Sequence, residues 1–128
     1  MIVVDTSIWV ASRRQRHAAE VLAQLIDADD VALALPVRLE LLSGIARHER
    51  KAFHARFGAL PQLHPTADTW APLPGWIEKA TDAGQRFTLA DLLIASMTAE
   101  IGGVVWSLDK DFERMESLGF VSRYELPH

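Results

Sequence analysis

The sequence has no cysteine among its 128 residues. That excludes a disulfide framework and any thiolate metal site, so a bound metal would have to be held by oxygen or imidazole. It also lacks a long apolar run, and nothing approaches the ~20 residues needed to span a bilayer. No basic segment precedes the first apolar stretch, and Asp5 falls inside that stretch, so a standard secretory signal is not expected. Excess positive charge is missing as well. The formal charge is -4, which argues against nucleic-acid binding through a global positive field and leaves room only for local basic patches. No repeat or low-complexity tract interrupts the chain.

These absences predict a soluble, cytoplasmic, single domain spanning residues 1–128. Hydrophobic residues make up 49% and charged residues 23%, the balance of a chain that folds around its own core without staples.

What is present is organised around the first ten residues. Ile2, Val3 and Val4 are β-branched and uninterrupted by polar groups, the pattern of a parallel strand buried on both faces. Asp5 then stands at that strand's carboxyl end, where ligands bind in open α/β sheets. Thr6 or Ser7 is expected to cap a short helix through Ile8, Trp9 and Val10. The plainer reading of Asp5 is an acid bonded to backbone N–H groups in the strand-to-helix turn.

After a polar break at residues 12–16, Ala18, Val21, Leu22, Leu25 and Ile26 recur at amphipathic-helix spacing. Residues 31–35 read as a second buried strand, and Pro36 as the first turn of the next helix. A strand, a helix and a strand make a parallel crossover unit. The helix from Pro36 turns Val37, Leu41, Leu42 and Ile45 inward and carries Glu40 one residue off that stripe. Glu40 lies near the sheet's carboxyl edge, although a solvated glutamate is the plain reading. Residues 47–56 are strongly basic and, with Arg13, Arg14 and Arg16, could hold phosphates or simply be solvated helix surface.

Residues 62–65 suit a short extended segment, and Thr66 a capped helix start. Pro72, Pro74 and Gly75 interrupt, so a helical pattern resuming at Trp76 is broken from what precedes, and Gly84 is placed to end it in the left-handed conformation. Residues 88–91, Thr-Leu-Ala-Asp, fit a capping box ahead of Leu93, Ile94, Met97 and Ile101. Asp91 also has a plain role there, complementing the helix dipole by about 0.3 to 1 kcal/mol. Residues 104–106 form another apolar strand followed at once by Asp109. Asp111 is expected to cap the helix from Phe112 to Leu118, and residues 120–124 to form an edge strand before a polar tail. Trp9, Trp70, Trp76 and Trp106 are core or interface anchors.

Four acids thus fall near one sheet edge: Asp5, Glu40, Asp91 and Asp109. Each has a bland explanation, but the bland explanations do not account for their convergence. Two carboxylates ~4 Å apart repel by about 4 kcal/mol at an effective dielectric near 20, so four together call for protons or a cation. Oxygen ligands without cysteine point to Mg²⁺ or Mn²⁺.

On these residues the sequence resembles the PIN domain family, and within it the VapC-like toxins of bacterial toxin-antitoxin modules. The matching pieces are residues 4–7 (Val-Asp-Thr-Ser), Pro36 with Glu40, Leu41 and Gly44, residues 90–95 (Ala-Asp-Leu-Leu-Ile-Ala) and residues 107–112 (Ser-Leu-Asp-Lys-Asp-Phe). They stand in family order across nearly the whole chain. The resemblance implies a three-layer α/β/α sandwich around a parallel sheet and a Mg²⁺- or Mn²⁺-dependent endoribonuclease acting as a toxin. It implies Asp5, Glu40, Asp91 and Asp109 as the catalytic and metal-binding set, with Thr6 and Ser107 supporting. It also implies an RNA substrate, a cognate antitoxin, a homodimer and no membrane. The sequence departs from the pattern at Pro72 and Pro74, where relatives run an unbroken helix, and ahead of Pro36, where a Ser or Thr is often seen.

Two alternatives come from other classes. A non-catalytic PIN-like binding module would be favoured by a missing acid, and none is missing. An aspartyl-phosphate phosphatase needs a second Asp two residues after the first, whereas position 7 is Ser.

Overall fold

The apolar runs at residues 2–4, 31–34 and 104–106 become the three inner strands, and their pairing on both sides explains why they are apolar on both faces. The computed structural model describes residues 1–126. In it β1 (Ile2–Val4), β2 (Val31–Ala34), β3 (Gln62–Leu63), β4 (Val104–Trp106) and β5 (Ser122–Arg123) form one sheet in the order β3-β2-β1-β4-β5. Every pair is parallel. β1 is the central strand, and Val3 and Val4 are wholly buried.

Parallel strands cannot be joined by tight turns, so helices carry every connection. They are α1 (Thr6–Ala11), α2 (Arg16–Asp27), α3 (Leu35–Ser43), α4 (Arg50–Gly58), α5 (Ala67–Trp70), α6 (Leu73–Asp82), α7 (Leu89–Glu100) and α8 (Lys110–Ser117), with a 3-10 turn at Arg47–Glu49. From β1 the chain steps outward to β2 and β3, returns past β1 to β4, and continues to β5. Right-handed crossovers put the outward and return connections on opposite faces, which gives the α/β/α layering. The reversal lies between β1 and β4, the switch point at which a crevice opens beyond the strand ends.

The core sits around α7, whose residues 92–98 are all buried as it packs on β1 and β4. A helix apolar on every side is an interior helix. Its stripe stops short of expectation, because Ile101 lies just past the helix end and is exposed. The proline break falls where expected, but the helix resumes earlier: Pro72 caps α6 and Pro74 sits in its first turn, where a missing N–H is harmless. Gly84 ends α6 with φ +74°, and the Gln85 N–H returns to the Ala80 carbonyl at 2.8 Å. Gly103 answers a different need. A Cβ there would stand 2.7 Å from the Met1 carbonyl oxygen, which accepts from the Val104 N–H where β1 and β4 begin to pair.

Trp9 and Trp106 are core residues, Trp76 is partly buried and stacks on Phe120 at 4.6 Å, and Trp70 is exposed. Arg56 lies over the rings of Trp9 and Phe57, which fixes one member of the basic run. Among the described residues no helix is long and apolar enough to cross a membrane. The polar tail expected after β5 ends at residues 127 and 128, outside the described residues.

Candidate active site

The register of the two central strands decides which residues meet at the switch point. Val4 pairs with Trp106, and the Asp5 N–H donates to the Trp106 carbonyl at 2.9 Å. Asp5 and Ser107 therefore leave the sheet side by side. Asp5 keeps extended backbone angles (φ -71°, ψ 157°) and is itself the cap residue of α1. That places Thr6 and Ser7 inside the first helical turn and corrects the expectation that one of them caps it. Their hydroxyls serve acids instead: Thr6 donates to Glu40 Oε2 at 2.8 Å, and Ser7 to Asp5 Oδ2 at 2.9 Å.

Asp91 arrives from α7. Thr88 caps that helix by accepting from the Asp91 N–H at 3.2 Å, which sets the carboxylate in the first turn at the same sheet edge. Asp109 arrives from β4 and caps α8, its Oδ1 accepting from the Asp111 N–H at 2.9 Å. The expected cap, Asp111, lies two residues further in, within the first turn, because Asp109 takes the extended backbone and leaves Asp111 helical. Arg114 donates to Asp111 Oδ1 at 2.7 Å.

These helix starts bring one carboxylate oxygen each from Asp91, Asp109 and Asp111 within 4.8 Å of one another. Burial pushes the Asp91 carboxyl up from 3.8 to about 6, with the negative charges of Asp5, Asp109 and Asp111 adding to it and the Thr88 hydroxyl opposing. Asp5 is one of the charges that raise Asp91, although it lies outside the 4.8 Å triad. Asp5 is buried, 6% exposed, while Glu40 is exposed and joined to the site only through Thr6.

Of the residues expected at the site, Asp91 and Asp109 are thus in direct proximity, Asp5 adjoins them, and Glu40 stands at the rim. Thr6 and Ser107 both bond to expected acids, Ser107 donating to Asp5 Oδ2 at 2.7 Å. Two residues were assigned to capping that the structure puts in the site, Ser7 and Asp111. The Asp-Lys-Asp spacing at 109–111 was the available signal for the second, since two acids straddling a helix start can face the same side. The donor set is all oxygen, crowded and negative, with one acid raised to about 6 by burial and by its acidic neighbours. Such a set fits a hard divalent cation, and Asp91, Asp109 and Asp111 lie close enough together to share one.

The PIN domain family model matches residues 2–118. No curated protein matches the sequence significantly. Among solved structures, the chain is similar to VapBC2 from Rickettsia felis bound to a DNA fragment from their promoter, at TM-score 0.78 and 15% identity, covering 99% of this chain and 100% of that one. It is similar to VapBC-1 from nontypeable Haemophilus influenzae at TM-score 0.75 and 20% identity, covering 98% of each chain. It is also similar to VapC20 of Mycobacterium tuberculosis, a Sarcin-Ricin loop cleaving toxin, at TM-score 0.64 and 23% identity, covering 89% of this chain and 94% of that one.

Proposed function

The chain belongs to the PIN domain family, and on that premise we propose that it is a divalent-metal-dependent endoribonuclease, the toxin of a VapBC-type toxin-antitoxin pair. The observation that carries the reading is the convergence of Asp91, Asp109 and Asp111 within 4.8 Å, faced by Asp5. We read residues 1–128 as one such domain working in the cytoplasm.

Asp5, Asp91 and Asp109, with Asp111 beside them, would hold Mg²⁺ or Mn²⁺. When bound, the cation supplies counter-charge and Lewis acidity toward a phosphodiester. The protein's own part is positional. Asp5, buried at the end of the central strand, is oriented by two hydroxyls. Asp91 and Asp109 are held by helix caps rather than by mobile loops. Glu40, exposed at the rim and anchored by Thr6, would accept a proton from attacking water at its carboxylate. RNA is the substrate class, and the likeness to VapBC structures supports a cognate antitoxin as partner. A homodimer is the assembly we propose.

The test is cleavage of total cellular RNA by wild type and Asp5→Asn, each with Mg²⁺, with Mn²⁺ and with chelator, after circular dichroism shows both folded. Discrete fragments that require both metal and Asp5 are the expected result. Equal cleavage by the folded variant would overturn the reading.

A further inference from the structure

We propose that Ser7 is a positioning residue that, together with Ser107, fastens the Asp5 carboxylate and the turn carrying Asp109 into one unit. The proposal rests on the ribonuclease reading of this site and names the device that sets its geometry.

Proton accounting carries the argument. The Ser7 hydroxyl donates to Asp5 Oδ2 at 2.9 Å and accepts from the Leu108 N–H at 3.0 Å. The Ser107 hydroxyl donates to the same Oδ2 at 2.7 Å and accepts from the Asp109 N–H at 2.9 Å. A serine hydroxyl has one proton. With both protons directed to Oδ2, the 3.2 Å approach of the two hydroxyl oxygens is a consequence of their shared acceptor and not a further bond. Each serine therefore gives its proton to Asp5 and its lone pair to the backbone of residues 107–109.

Two consequences follow for the site. Asp5 Oδ2 is occupied by protein donors, while Oδ1 receives none from the described residues. No buried side-chain oxygen among the described residues lacks a partner, so Oδ1 is the atom through which this otherwise buried acid reaches solvent. The turn from β4 into α8 is at the same time held from the Asp5 side, across 102 residues of sequence. Asp109 and Asp111, which ride on that turn, are thereby set in place relative to Asp5. Thr6, the preceding residue, holds Glu40 in the same helical turn. The dipeptide at the start of α1 thus reaches acids on both sides of the crevice.

The experiment is calorimetric Mn²⁺ titration of the full chain as wild type, Ser7→Ala and Ser7→Thr, with thermal melts and amide exchange at Leu108. Loss of a partner behind a metal-ligating side chain typically weakens binding by about tenfold or more. Ser7→Ala is expected to weaken Mn²⁺ binding by at least that factor and to speed Leu108 exchange, while Ser7→Thr, which keeps the hydroxyl, stays within about twofold of wild type. A purely structural serine would lower the melting temperature and leave Mn²⁺ affinity unchanged; that result overturns the proposal. If Ser7→Ala does not fold, Ser7→Cys, close in volume and a weak hydrogen-bonding group, carries the same test. A wild type that takes up no Mn²⁺ overturns the ribonuclease reading and this proposal together, and is told apart because it appears before any substitution.

Discussion

Two carboxylates in this molecule are each gripped by a pair of hydroxyls, one at either end of the buried helix α7. Glu100, the last residue of that helix, accepts from Thr69 at Oε1 (2.5 Å) and from Thr66 at Oε2 (2.9 Å). Asp5, beside the helix's first turn, accepts from Ser7 and Ser107 at Oδ2 alone. At Glu100 both oxygens are satisfied, and the carboxylate ties the start of α5 to the end of α7. At Asp5 one oxygen takes no donor among the described residues, and its charge raises the pKa of the neighbouring acid Asp91. The same kind of grip makes a fastening where both oxygens are used, and where one is withheld it leaves the acid that we propose acts at the site.

The largest expected effect breaks the comparison at its reactive end. Asp5→Asn should lower RNA cleavage on the order of a hundredfold or more, whereas Glu100→Gln should leave the rate within about twofold, both measured on folded protein with Mg²⁺ present. A second substitution sharpens the fastening end. Glu100→Ala removes the acceptor of Thr69, a wholly buried side chain, at a cost of about 1 to 2 kcal/mol. A drop of roughly 3 to 8 °C in melting temperature is expected, with Mn²⁺ affinity unchanged by calorimetry. Altered affinity would mean that the two ends are coupled through α7.

The next effect is in pH. The Asp91 carboxyl is raised from 3.8 to about 6. An acid whose folded value exceeds its unfolded one adds stability below the unfolded value and loses it as pH rises through the folded value. In metal-free protein the melting temperature of wild type relative to Asp91→Asn should therefore climb as pH falls through the window from about 6 to 3.8. Mg²⁺ should flatten the difference by supplying the counter-charge, and a difference indifferent to both pH and metal would show that Asp91 is not crowded by its neighbours.

The three inner strands and most of the helices were legible because burial on both faces leaves an unbroken apolar run in the sequence, and because Pro36, Thr88 and Gly84 each mark a boundary by a ring, a capping hydroxyl or a left-handed backbone. The four acids were legible as positions: Asp5 and Asp109 after strands, Glu40 and Asp91 in helical turns. Their mutual distances were not, since register between β1 and β4 is set by strands a hundred residues apart in the chain. For the same reason Ser7 read as a cap. Its partners Ser107 and Leu108 become visible only once Val4 is paired with Trp106. Asp111 was misassigned because an acid near a helix start has one local explanation whichever residue takes the cap.

The smallest expected effect concerns the cation already at the site. Arg114 donates to Asp111 Oδ1 at 2.7 Å along one face of α8 and is half exposed, so it is a partial, salt-screened neutraliser of the cluster, unlike the two hydroxyls that neutralise nothing at Asp5. An exposed pair of this kind contributes at most about 1 kcal/mol, which limits any gain to about fivefold in a binding constant. Arg114→Ala frees Asp111 and leaves the three-acid cluster one positive charge poorer, so Mn²⁺ affinity should rise, by no more than about fivefold. The rise should shrink at high salt, where exposed charges are screened. Arg123→Ala, which removes the pair with Glu116 at 3.2 Å on the far end of α8, is the control expected to leave affinity unchanged. A fall in affinity for Arg114→Ala would mean instead that the arginine orients Asp111, and Asp111 would then join Asp5 as an acid whose geometry is set by its neighbours and not by its own helix.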